Sequence, residues 1–177
     1  MPAHLVVDAS VAIAGGESEH PTSSLCRQFL EEAVMGDHIL IMTEEIEREW
    51  KNDEKPRSYA WLRRFYARGK KKILWLEQTV DPDLRDDLDR VAYSDKSRLA
   101  MLEDVHLLEA ARASDYNVSS LDDTVRKIFV KVAGQVEKIQ EIAWVNPGIP
   151  TETGVDWLKA GAPNEHSRQL GYKNDSN

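Results

Sequence analysis

Short, β-branched apolar runs recur along this chain, each closed by polar or glycine residues and followed by a stretch with helical spacing. Residues 4–8 (His-Leu-Val-Val-Asp), 39–42, 117–120 and 142–145 read as buried strands, and 73–76 reads as an edge strand. Between them, Thr22 or Ser23 is placed to cap a helix running to Met35, with Gly36 as its terminator. Thr43 is a second cap, and Glu44 and Glu45 favour the positive end of the helix that carries Ile46, Glu49 and Trp50. A helix over 57–68 would turn Trp61, Leu62 and Phe65 to one face and Arg63, Arg64 and Arg68 elsewhere. Asp81-Pro82 starts another, using Leu84, Leu88 and Val91. Residues 96–114 are helical in one piece or two, and 124–133 form a last helix closed by Gly134.

Strand and helix alternate through short links. That order predicts an α/β fold: a three-layer α/β/α sandwich around a central, mostly parallel sheet of four or five strands with right-handed crossovers. Residues 1–146 make one domain on this reading. From 147 onward Gly, Pro and Thr become frequent, and 147–177 reads as a C-terminal extension with a short helical patch near 156–160, fraying after Leu170. Trp157-Leu158 in that extension is a candidate contact for a second copy of the chain. No repeat is visible.

The 177 residues suit one domain with a sizeable core, and 41% hydrophobic content argues against disorder. No segment approaches the roughly 18 to 20 apolar residues of a membrane span. The first strand follows Met-Pro-Ala directly, so no signal peptide is expected, and the lone Cys26 suits a reducing cytoplasm as a buried helix filler. A net charge of −8 opposes general nucleic-acid binding. The distribution changes that picture. Residues 55–72 contain Lys55, Arg57, Arg63, Arg64, Arg68, Lys70, Lys71 and Lys72 and no acid, with Tyr59 and Tyr66 interleaved as stacking candidates. Cations with aromatic rings suit single-stranded nucleic acid, where stacking is worth about 1–3 kcal/mol per base. The solvated end of a helix would also account for Lys70-Lys71-Lys72.

Chemistry is concentrated where strands end in acid. Asp8 closes the first strand, Glu49 lies on the helix after the second, Asp104 opens a helical run, and Asp122-Asp123 follow the fourth strand. In open α/β sheets the carboxyl ends of strands are where ligands bind. Carboxylates converging there would take a hard cation such as Mg²⁺ or Mn²⁺, which prefers oxygen donors. An acid near any one of these places is unsurprising among 31 acids, so the case rests on the set. No Cys/His spacing suggests zinc, and Gly15-Gly16 lacks the Lys-Ser/Thr of a phosphate-cradling loop. His106, two residues past Asp104, falls on a different helix face and reads as a polar surface residue.

Four segments in register, VVDASVAIA, ILIMTEEIEREW, EDVHLLEAARA and NVSSLDDTVRKIF, resemble the signature regions of PIN-domain nucleases over residues 4–145. In that family the first strand ends in an aspartate followed two residues on by a hydroxyl or amide residue, as at Asp8 and Ser10. A small residue, an apolar one three later and a glutamate six later match Thr43, Ile46 and Glu49. A D-x-x-L-L-x-A-A run matches Asp104 to Ala111, and Ser-x-Asp matches Ser120-Leu121-Asp122. The resemblance implies Asp8, Glu49, Asp104 and Asp122 as catalytic metal ligands, with Asp123 replacing or assisting Asp122, and Ser10 and Ser120 as hydroxyls orienting them. It further implies Mg²⁺- or Mn²⁺-dependent endoribonuclease activity on single strands, RNA ahead of DNA, an antitoxin partner in many members, and homodimers.

Other readings stay open. Haloacid-dehalogenase-like phosphatases need a second aspartate where Ser10 stands, and receiver domains need a lysine where Val145 runs into Asn146-Pro147. Both fit less well. A non-catalytic nucleic-acid- or protein-binding module on the same fold accounts for the same acids.

Overall fold

Five strands, β1 (His4–Val7), β2 (Ile39–Met42), β3 (Ile73–Trp75), β4 (Asn117–Ser119) and β5 (Ala143–Val145), form one sheet in the order β3-β2-β1-β4-β5. The computed structural model that defines it describes residues 2–52, 54 and 56–173. Every neighbouring pair is parallel, with Leu5 beside Leu40, Val6 beside Val118, and Val118 beside Trp144. All carboxyl ends therefore emerge on one edge. Such a sheet is covered on both faces, and the apolar side chains of β1, β2, β4 and β5 are buried almost throughout.

Eight α-helices among the described residues provide that cover: α1 (Ala9–Ala14), α2 (Pro21–Met35), α3 (Glu44–Trp50), α4 (Pro56–Ala67), α5 (Pro82–Val91), α6 (Asp95–Arg112), α7 (Asp123–Ala133) and α8 (Gly154–Lys159). Helices α1, α2, α4 and α8 pack together in one layer and α5, α6 and α7 in the other, while α3 touches both α1 and α6. The molecule is a three-layer α/β/α sandwich.

Three local departures from the sequence reading have clear causes. Helix α1 was not foreseen, because six residues leave no room for a periodic pattern; it starts on the residue after Asp8. Helix α2 begins at Pro21, earlier than a Thr22 or Ser23 cap would place it, because the His20 ring accepts from the Thr22 N–H and proline suits the first helical position. Residues 95–112 form a single helix, and a Ser94–Ser97 capping box secures its start.

The extension after residue 147 belongs to the same core. Trp157 and Leu158 are buried, and the Trp157 indole donates to the Pro163 carbonyl at 2.9 Å. Gln169 bridges Ala143 in antiparallel sense, and the Leu170 N–H donates to the Ile142 carbonyl at 2.9 Å, so the tail shields the outer edge of β5. Burial removes Trp157-Leu158 as a contact for a second copy. The expected fraying after Leu170 falls partly on residues 174–177, outside the described residues.

Candidate metal and nuclease site

Parallel pairing delivers Asp8 and Ser120 to neighbouring positions at the sheet's carboxyl edge. The Asp8 N–H continues the β1–β4 ladder to the Ser119 carbonyl at 2.9 Å. Two hydroxyls then take the same carboxylate oxygen: Ser10 Oγ and, at 3.0 Å, Ser120 Oγ both donate to Asp8 Oδ2. Each serine is itself held, Ser10 accepting from the Leu121 N–H at 3.2 Å and Ser120 from the Asp122 N–H at 3.1 Å. Asp8 occupies the N-cap position of α1 yet makes no side-chain cap bond. The common structural use of an aspartate there is therefore absent, and Oδ1 has no donor among the described residues. Burial, with Glu49 behind it, raises the Asp8 pKa, and the two serine hydrogen bonds only partly offset this.

Glu49 reaches the same region from α3. That helix is capped by Thr43, whose Oγ1 accepts from the Ile46 N–H at 3.2 Å. It is pinned at its other end by Trp50, whose indole donates to the Val7 carbonyl at 3.0 Å. The half-buried Glu49 is thereby held beside the end of β1.

His106 corrects the sequence reading. It is buried, not on the surface, and its Nε2 lies 3.2 Å from Glu49 Oε2 while Nδ1 lies 3.0 Å from the Glu103 carbonyl. Burial acts to lower its pKa, but the Glu49 bond and charge, helped by Glu45 and Asp104, raise it above the ordinary 6.5. Spacing from Asp104 concealed this role. The usable signal was the run Val105-His106-Leu107-Leu108-Glu109-Ala110-Ala111, buried at every position, where a surface histidine has no place.

Asp104 lies between these groups. Burial first, then the charges of Asp8 and Asp122, raise its pKa from 3.8 to about 7, with Glu49 adding to the effect and His106 opposing it. This coupling ties together Asp8, Glu49, Asp104 and Asp122, drawn from four separate stretches of chain. Asp122 is the most exposed of them and also caps α7, its Oδ1 accepting from the Val125 N–H at 2.9 Å. Asp123 pairs instead with Arg126, 3.6 Å away. Of the two adjacent aspartates, it is Asp122 whose charge acts on Asp104.

Among the described residues, no three His, Cys, Asp or Glu side chains are gathered closely enough to chelate one ion directly. The donors nonetheless fit a hard cation, because all four acids offer oxygen and Mg²⁺ keeps several waters while taking one or two carboxylates. Asp8, through its unengaged Oδ1, and Asp104 would hold such an ion most directly. Glu49 and Asp122 would reach it through its waters.

The basic stretch does not form one surface. Arg63, Arg68, Lys70 and Lys71 are exposed, as are Tyr59 and Tyr66, whereas Trp61 and Phe65 are buried as their spacing indicated. Lys72 turns inward: its Nζ donates to the Ala33 and Gly36 carbonyls at 3.1 and 2.6 Å, closing the carboxyl end of α2. It is a helix cap, not a phosphate contact. Arg57 and Arg64 border a cavity behind α1. Lys55 lies outside the described residues.

No protein-family model matches this chain, and no curated protein or solved structure is significantly similar to it. No helix among the described residues is long and apolar enough to cross a membrane.

Proposed function

We propose that this protein is a Mg²⁺- or Mn²⁺-dependent endoribonuclease of the PIN-domain type, acting on single-stranded RNA. The observation that carries the reading is the mutual charge coupling of Asp8, Glu49, Asp104 and Asp122 at the carboxyl edge of a parallel sheet, which places a proton on Asp104 up to about pH 7. An acid cluster with so little internal cation is costly as it stands, and a divalent cation relieves it.

A bound Mg²⁺ or Mn²⁺ would supply an activated water and neutralise charge developing on the phosphodiester. The chain's own residues set the stage. Ser10 and Ser120 fix the Asp8 carboxylate on one oxygen and leave the other open. His106 holds Glu49 through Nε2. Asp104 gives up its proton as cation enters, so binding releases protons at neutral pH. In-line attack by water would leave a 5′-phosphate and a 3′-hydroxyl. The exposed Tyr59 and Tyr66 on α4 offer stacking for unpaired bases. Where such an enzyme serves as the toxin of a toxin–antitoxin pair, its partner protein would cover this same edge.

The competing reading, a binding module without catalysis, draws on Asp122 and Glu49, whose side chains already have partners within the chain. One assay separates the two. Labelled single-stranded RNA and DNA are incubated with Mg²⁺, Mn²⁺ or EDTA, using the native chain and Asp8→Asn. Metal-dependent RNA cleavage lost in Asp8→Asn is the expected result, and no cleavage with either metal would reject the nuclease.

A further inference from the structure

At the far end of α1 from Asp8, about 10 Å along the helix, three arginines from two other helices surround Gly16. The cavity they line has a volume of about 510 Å³ and includes Trp61, Glu17 and Glu31. That is within the usual range for a small-ligand pocket, roughly 300–1,000 Å³.

Each guanidinium is positioned by something other than a carboxylate. Arg27 of α2 donates to the Gly16 carbonyl at 2.5 Å and to the Ser18 carbonyl at 3.2 Å. Arg57 of α4 lies against the Gly16 backbone so closely that a Cβ there would meet its Nη1 at 2.5 Å. Arg64 stacks 4.2 Å from the centre of the Trp61 ring, and that ring is fixed by its own N–H to the Gly15 carbonyl at 2.9 Å. Glu17 and Glu31 are on the lining, yet among the described residues no carboxylate comes within ion-pair distance of Arg27, Arg57 or Arg64. Elsewhere in this acidic chain, Arg85, Arg112 and Arg126 all have carboxylate partners. Three preoriented, unpaired guanidinium groups around one glycine form a receptor for an oxyanion with several acceptor oxygens.

From this geometry we infer that the Arg27–Arg57–Arg64 cavity binds a phosphate group of single-stranded RNA, a short stretch of chain away from the carboxylates. The inference rests on the RNA reading above and adds a second, distinct anchor to it. Phosphate is favoured over an acidic peptide because the plane of Arg64 and the exposed ring of Tyr59, on the same helix, offer stacking surfaces for bases. Arg27 joins the basic set although it lies outside the basic stretch of sequence.

The test is equilibrium binding of a short fluorescein-labelled single-stranded RNA to the full chain in EDTA, read by anisotropy across a salt series. Arg57→Ala/Arg64→Ala is expected to weaken binding by about tenfold or more. The slope of log K against log salt should flatten by roughly 1.4, or 0.7 for each lost contact. Lys96→Ala/Lys159→Ala removes the same charge from exposed positions elsewhere and is expected to bind as the native chain does. Arg57→Lys/Arg64→Lys, which keeps charge and fold, should recover the salt slope but not the full affinity, because lysine cannot reproduce the fork. Adenosine monophosphate should compete better than inorganic phosphate, and a polyglutamate peptide poorly. Equal losses in both alanine pairs, or competition by polyglutamate as strong as by RNA, would overturn the pocket. Because binding is read in EDTA, its outcome is separate from cleavage. A chain that cleaves RNA but is indifferent to Arg57→Ala/Arg64→Ala loses the pocket alone, and one that never cleaves but loses binding in that variant loses the nuclease alone.

Discussion

Asp81 and Asp104 are both half-buried aspartates near helix starts, and they are driven in opposite directions. Burial would raise both. At Asp81 the Leu84 N–H, Lys138 and Arg112 outweigh burial and bring the pKa down to about 2. Its oxygens receive Lys138 Nζ at 3.1 and 3.0 Å and the Arg112 guanidinium, while the neighbouring Glu109 is held by Arg85 through two bonds of 2.8 Å. At Asp104 the nearby charges are mostly of like sign, and the pKa rises to about 7. One acid has its cations built in and fastens α5 to α6 and the segment after α7. The other lacks them and is left needing a cation from outside. Satisfied charge marks structure, and frustrated charge marks a site.

The largest effect that would sharpen this contrast is catalytic. Asp104→Asn should reduce RNA cleavage in Mg²⁺ by more than about a hundredfold, exceeding the 10–100-fold typical of residues that only orient a ligand. In EDTA the same variant should melt a few degrees higher than the native chain. Asp81→Asn should do the reverse, leaving cleavage per folded molecule unchanged while costing about 2 kcal/mol in urea unfolding, from lost cap and ion pairs together. If Asp104→Asn and Asp81→Asn destabilise equally, the distinction between the two acids fails.

Next in size is the dependence on pH. Asp104 binds its proton more tightly folded than unfolded, so between pH 3.8 and about 7 the folded state carries the extra proton. Stability of the metal-free protein should therefore fall as pH rises through that window. Asp8 and His106, both raised, act in the same direction. Asp81 acts oppositely and lower, adding stability that disappears as pH falls from 3.8 toward about 2. Melting curves in EDTA should show the decline between pH 5 and 7, and excess Mg²⁺ should flatten it. A melting temperature that rises over that range would contradict the coupling at Asp104.

Ser120→Ala comes third. It removes one of two hydroxyls on Asp8 Oδ2, and a loss of about tenfold in cleavage with little change in melting is expected. Smallest is Lys72→Met, which uncaps α2: about 0.5–1 kcal/mol of stability should be lost while RNA affinity stays unchanged. A clear fall in affinity there would return Lys72 to the nucleic-acid surface.

Strand positions, the layer order and the core face of α4 were legible because burial imposes a local period on the sequence, and Leu5, Ile41, Leu62 and Phe65 obey it. Asp8 was legible too, since an apolar strand that ends in acid needs a reason. Asp122 against Asp123 was not, because adjacent residues differ by one step of backbone and only the packing of α7 beside Arg126 separates them. His106, Arg27 and Lys72 were missed or misplaced for a related reason. Each side chain is long, and its partner comes from a distant element: Glu49, Gly16 or Ala33.

By itself the sequence determined which segments would be strands and helices, that they would stack as α/β/α, and that acids would stand at strand ends. Those outcomes follow from hydrophobic periodicity and backbone chemistry, which act over a few residues. Tertiary structure alone decided which charges would be neutralised. Asp81 meets Arg112 and Lys138, Asp104 meets Asp8 and Asp122, and three arginines meet only backbone and a tryptophan ring. Coulomb energy depends on separation in space, and separation along the chain carries almost none of that information.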